Sequence, residues 1–142
     1  LRTVTGVQTC ALPICEDDAR NGIRVHFMRA GALFGETVPR VDRQTGTIVQ
    51  AEVAIAGDTR GESLESQIEV YLTALHELGH ALGLAHTDQF ADIMYRFQAP
   101  DDATRYFARY RARVKTPSDI GTPRASGLSP DDTRRLRSLY GR

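Results

Sequence analysis

Three of the four histidines in this 142-residue chain fall within one short stretch, His76-Glu77-Leu78-Gly79-His80-Ala81-Leu82-Gly83-Leu84-Ala85-His86. An α-helix turns once in about 3.6 residues, so His76 and His80 share a face, one turn apart, where two imidazoles can grip one metal ion. Glu77, one step round the helix, stands beside such a metal rather than on it and can take a proton from a metal-bound water. Gly83 can end the helix, because glycine adopts the left-handed conformation at little cost, and the chain can then turn back to deliver His86 as a third nitrogen. Three protein ligands leave a fourth position for water, which is the arrangement of a catalytic site rather than a closed structural one. Five such fixed positions recur by chance on the order of once in 10⁷ starting points, so the pattern is specific.

The elements that must hold these residues can be read on either side of them. Asn21-Gly22 signals a turn, and Ile23-Arg24-Val25-His26-Phe27 alternates apolar with polar, as a half-buried strand does. Residues 30–35 are punctuated by glycine and predict a short edge strand that reaches Val38, ahead of Pro39. A turn follows over 42–46, then a strand over 48–56, IVQAEVAIA, with β-branched residues recurring along it. Ser63 is placed to cap a helix, with Glu62 and Glu65 near its positive end and Leu64, Ile68, Leu72, Leu75, Leu78 and Leu82 at helical spacing. Beyond the histidines come a loop over 84–96, a helix over 104–115 and a Pro/Gly/Ser-rich connector over 116–127. The last helix starts at Ser129 and Pro130, carries Asp131 and Asp132 in its first turn, and runs to Tyr140.

Length and a composition of 41% hydrophobic and 25% charged residues describe one ordinary globular domain. Eighteen basic groups balance eighteen acidic ones, which excludes a generally basic nucleic-acid binder and a highly charged disordered tail. No apolar run of about 18 residues is present, so no transmembrane span is expected. Two cysteines, Cys10 and Cys15, are too few and too close to frame a disulfide-rich fold. Residues 4–14, VTGVQTCALPI, fit neither helix nor strand nor signal peptide, and resemble the translation of a sequencing-library adaptor. Residues 1–15 are therefore set apart, which leaves 16–142 as the domain.

The pattern from His76 to His86 resembles the signature of the metzincin zinc peptidases, and Asp92-Ile93-Met94-Tyr95 resembles the Met-turn that follows it in that family. Thr87, directly after the third histidine, is closer to the serine or threonine of matrixins than to the glutamate of astacins or the proline of serralysins. Tyr95 directly follows Met94, as in matrixins, and LSPDDTRRLRSLYG over 128–141 is similar to the closing helix of their catalytic domains. The resemblance covers about 22–96 and 128–141 and is greatest to bacterial matrixin-like peptidases.

That resemblance implies an α+β zincin domain with a twisted mixed sheet, an active-site helix and a C-terminal helix. The family's first strand and long helix find no counterpart ahead of Ile23, so 16–142 is expected to be a partial catalytic domain. By the same resemblance His76, His80 and His86 are zinc ligands, Glu77 is the general base, and Met94 forms a hydrophobic floor under the metal. Residues 32–38 correspond to the strand along which an extended peptide adds by backbone pairing. The implied activity is hydrolysis of peptide bonds by a zinc-activated water. One catalytic zinc ion is expected. A structural zinc is not, because His26, read as a partly buried strand histidine, is the one histidine outside the motif. Calcium is unsupported, since no carboxylate-rich loop lies between Arg29 and Thr47. The expected partner is a protein or peptide substrate in extended form, with no nucleic acid and no membrane span. A monomer, secreted or extracellular, is expected.

Two other readings compete. A catalytically inactive zinc-binding or interaction domain is disfavoured because Glu77, the base, is in place. A surface binder would rest on the helix over 104–115, where Arg105, Arg109, Arg111, Arg113 and Lys115 stand beside Tyr106, Phe107 and Tyr110. A solvated face that covers the substrate pocket accounts for that helix more simply.

Overall fold

Alternation sets the first strand: Ile23 and Val25 turn towards the protein interior while Arg24 and His26 face solvent in β1 (Gly22–Met28). His26 is thus exposed rather than partly buried, because it shares the outward face of β1 with Arg24. The computed structural model describes residues 22–28, 34–57 and 63–141. The adaptor-like segment, the Asn21 turn position, Glu62 and residues 29–33 lie outside the described residues.

The sheet is mixed, with β3 (Ile48–Ala56) at its centre, β1 parallel to it on one side and β2 (Gly35–Val41) antiparallel on the other. Strand β2 continues through Pro39 instead of ending before it. An edge strand tolerates proline, since a missing N–H costs nothing where no neighbouring strand would receive it. The β2–β3 turn is tied by Asp42, whose side-chain oxygen accepts the amides of Gln44 at 2.8 Å and Thr45 at 3.1 Å. Ala51, Val53 and Ile55 of β3 are buried against Val70, Ala74 and Ala81 of the first helix.

That helix, α1 (Leu64–Ala81), starts where Ser63 accepts the amide of Ser66 at 3.0 Å. It is buried on two sides. One side faces the sheet; the other carries Ile68 and Leu72 into a second core with Leu84, Ile93, Met94, Tyr106, Tyr110, Val114 and Ala125. Helix α2 (Asp102–Arg111) lies against α1 and supplies the two tyrosines of that core. It begins earlier and ends earlier than the expected 104–115. At its start the Asp102 carboxylate gathers the amides of Gln98 and Ala99 and the hydroxyl of Tyr95. At its end Val114 turns into the core, and Pro117 opens a short 3₁₀ turn (Pro117–Asp119). Helix α3 (Pro130–Tyr140) starts at Ser129 as expected and closes a capping box there: the Ser129 hydroxyl accepts the Asp132 amide at 2.9 Å, and the Asp132 carboxylate accepts the Ser129 amide at 2.8 Å. The architecture is α+β. Among the described residues no helix is long and apolar enough to cross a membrane.

Candidate metal centre

The last turn of α1 presents His76 and His80 on one face, and Gly83 redirects the chain that carries His86 back to them. Gly83 has φ +90°, its amide donates to His80 O at 2.9 Å, and the Leu84 amide donates to Gly79 O at 2.9 Å. This is a Schellman closure, which satisfies the orphan carbonyls of the helix end and needs a left-handed residue at the position glycine fills. The returning segment is then pinned alongside residues 94–96. Thr87 N donates to Met94 O at 2.9 Å, and Arg96 N donates to Thr87 O at 3.0 Å.

The three imidazoles converge through one kind of atom. Nε2 of His86 lies 3.1 Å from Nε2 of His76 and 3.2 Å from Nε2 of His80. The opposite nitrogens of the two helix histidines are committed to carbonyls: His76 Nδ1 to Ile93 O at 2.7 Å and His80 Nδ1 to Leu84 O at 2.9 Å. A carbonyl only accepts, so each Nδ1 must carry the proton, which leaves each Nε2 with a free lone pair. Lone pairs aimed at one another repel unless a cation sits between them. Imidazole nitrogens about 2.0–2.1 Å from a tetrahedral zinc ion stand about 3.3 Å apart, close to the spacing seen here. The donor set and its spacing fit zinc. Among the described residues, these three form the cluster of His, Cys, Asp and Glu side chains able to hold a metal.

Local electrostatics favour the neutral, metal-binding form of His76 and His86. Burial, the largest cause, lowers the pKa of His76 below the ordinary histidine value, against the hydrogen bond to Ile93 O, which raises it. His86 is also lowered, first by partial burial of its ring and then by the positive neighbours His80, His76 and Arg96, with Glu77 opposing them.

Glu77 is buried, 7% exposed, yet lines the same cleft as the three histidines. The cleft encloses about 400 Å³ between β2, α1 and the chain from Ile93 to Phe97, with Tyr106 and Phe107 of α2 closing its far side. Tyr106 and Phe107 of α2 are thus part of the cleft lining. Met94 is fully buried, and a side chain added at Gly79, on the helix between His76 and His80, would run into its sulfur.

Other residues of the site escape sequence reasoning. The Thr37 hydroxyl on β2 reaches the Glu77 carboxylate, and Gly35 leaves the room that carboxylate occupies. Asp132 was legible as a first-turn acidic residue of the last helix, but its Oδ2 also accepts the Ile93 amide at 2.8 Å. Arg135 donates to Ala85 O and Tyr140 to Leu82 O, each at 2.8 Å, so α3 clasps the segment that delivers His86. No local pattern announces such long-range bonds.

Comparison with known proteins places these features. The family model described as Matrixin matches residues 17–108. The chain is 30% identical over 133 residues to mouse (Mus musculus) matrix metalloproteinase-25, covering 84% of this chain and 18% of that protein. It is 24% identical over 137 residues to metalloendoproteinase 1 of Glycine max, covering 96% of this chain and 38% of that protein. The chain thus spans well under half the length of these relatives. No solved structure gives a significant match.

Proposed function

The chain belongs to the matrixin family, and from that premise we propose that it is a zinc-dependent endopeptidase in which His76, His80 and His86 hold the metal and Glu77 is the general base. The observation that carries this reading is the convergence of three Nε2 atoms in a cleft that also contains a buried carboxylate. When bound, zinc supplies a Lewis acid and lowers the pKa of water to about 7.

The chain's own residues do the rest. Glu77 takes the proton of the attacking water and returns it to the leaving amine, one group serving as base and then acid. Ile93 O and Leu84 O fix the tautomers of His76 and His80, and so hold both rings with Nε2 inward. Met94 supports the histidines from below as a packed apolar floor. The outer edge of β2 has no partner strand among the described residues, so an extended peptide can add there by backbone hydrogen bonds. Such a peptide places an apolar side chain in the aromatic cleft, where Phe34, Phe97, Tyr106 and Phe107 exclude water. The substrate is a protein or peptide in extended form, the enzyme acts as a monomer, and export from the cell suits both.

The test is cleavage of an unstructured protein by the full chain, with and without a zinc chelator, beside Glu77→Ala. Cleavage that the chelator stops and Glu77→Ala abolishes is the expected outcome. A folded, zinc-loaded chain that cleaves nothing would instead indicate a zinc-binding domain without activity.

A further inference from the structure

We propose that Thr37 is a positioning residue that fixes the Glu77 carboxylate for proton transfer, and so ties the base to the strand along which substrate pairs. This rests on the peptidase reading, which gives Glu77 a proton to move.

The Thr37 hydroxyl lies 2.6 Å from Glu77 Oε2 and 2.9 Å from the Glu77 main-chain carbonyl. It has one proton and two acceptors within reach. The charged carboxylate is the stronger acceptor, so the hydroxyl donates there while Glu77 is ionised. Two residues earlier, on the same face of β2, Gly35 contributes an absence. A side chain there would meet Glu77 Cγ at 2.7 Å, Glu77 Oε1 at 2.9 Å and Thr73 Cγ2 at 2.9 Å. Strand β2 therefore closes over the carboxylate, bare at residue 35 and carrying a donor at residue 37.

Thr37 itself is held firmly. It is paired with Val53 in the β2–β3 ladder, and Val53 is fully buried in the centre of the sheet. A glutamate has three side-chain torsions to settle, and a bond to a rigid strand removes most of that freedom. A base must stand within hydrogen-bond reach of the proton it takes, and a misplacement of about 1 Å can cost on the order of 10²-fold in rate. A peptide pairing with the outer edge of β2 would extend the same ladder, so one strand would set both the substrate backbone and the base.

The experiment uses the full chain and four variants: Thr37→Val, Thr37→Ser, Glu77→Ala and the double variant Thr37→Val/Glu77→Ala. Valine keeps the branched shape and the strand preference but removes the donor, whereas serine keeps the donor and loses the methyl. On an internally quenched peptide, Thr37→Val should lower kcat by about 10- to 100-fold, with KM and bound zinc little changed. Thr37→Ser should recover most of that loss. A readout without turnover comes from urea unfolding of the metal-free chains, where the two single substitutions should be non-additive by about fivefold or more in the unfolding constant. Native kcat in Thr37→Val, a Thr37→Ser variant no better than Thr37→Val, or additivity in the unfolding cycle would each overturn the proposal. Failure of the peptidase reading has a different signature. The unsubstituted chain would then be inert, which removes any role for Thr37 in turnover, while the non-additivity in unfolding would persist.

Discussion

Asp132 stands two hydrogen bonds from His76. Its carboxylate accepts the Ile93 amide at 2.8 Å, and the Ile93 carbonyl accepts the Nδ1 proton of His76 at 2.7 Å. One fully buried side chain thus caps α3 and anchors the turn that orients a metal-facing imidazole.

Asp132→Ala should therefore damage stability and metal binding together. It leaves the amides of Ile93 and Ser129 without their acceptor, at about 1–3 kcal/mol for each buried orphan. A fall in Tm of about 10 °C is expected for a domain of this size. Zinc affinity should drop about 10- to 100-fold, as for other residues that orient a ligand from behind. Thermal scanning and zinc titration check both. A variant that loses stability but binds zinc at native affinity would show that Ile93 does not orient His76.

The contact between Gly79 and Met94 predicts a change of sign. In an exposed helix interior, Gly→Ala is stabilising by about 1 kcal/mol. Here the added methyl meets the Met94 sulfur, and overpacking of this kind costs about 1–3 kcal/mol. Gly79→Ala should be destabilising in the native chain and neutral or stabilising in a Met94→Ala background. Denaturant midpoints of the four proteins measure this. The same sign in both backgrounds would mean that the two residues do not compete for space.

Alkaline stability should depend on Tyr106. Burial, the largest cause, raises its pKa to about 12, and its hydroxyl donates to Asp92 O at 2.9 Å. The folded chain therefore holds this proton more tightly than the unfolded chain, where the pKa is about 10. The stabilising contribution is complete below pH 10 and is lost as pH rises through about 12, up to about 3 kcal/mol in all. Tyr106→Phe should be less stable than the native chain by about 1 kcal/mol at pH 8, with a flatter decline between pH 10 and 12. Urea midpoints across that window decide it, and parallel profiles would contradict the assignment.

Local chemistry made much of this molecule legible. Ser63 and Gly83 bound α1 because a side-chain acceptor and a left-handed glycine are local requirements of a helix end. Strand β3 and helix α3 were legible for the same reason. The bounds of α2 were not, since Asp102 is drawn back by the amides of Gln98 and Ala99 and Val114 is pulled into a core built by other elements. His26 is exposed rather than partly buried because it shares the polar face of β1 with Arg24, and that face is the one turned to solvent. The three histidines announced themselves by spacing alone. The residues behind them, Thr37, Gly35 and Asp132, act across about 40 residues of chain, where only the folded arrangement brings them together.

The most direct test of the metal centre is zinc X-ray absorption on the full chain loaded with one equivalent of zinc. The expected spectrum has three imidazole nitrogens at about 2.0–2.1 Å and one further light atom, no sulfur, and no stoichiometric zinc once His86→Ala removes the third ligand. Sulfur scattering near 2.3 Å, or a zinc content unchanged by His86→Ala, would contradict an open three-histidine site.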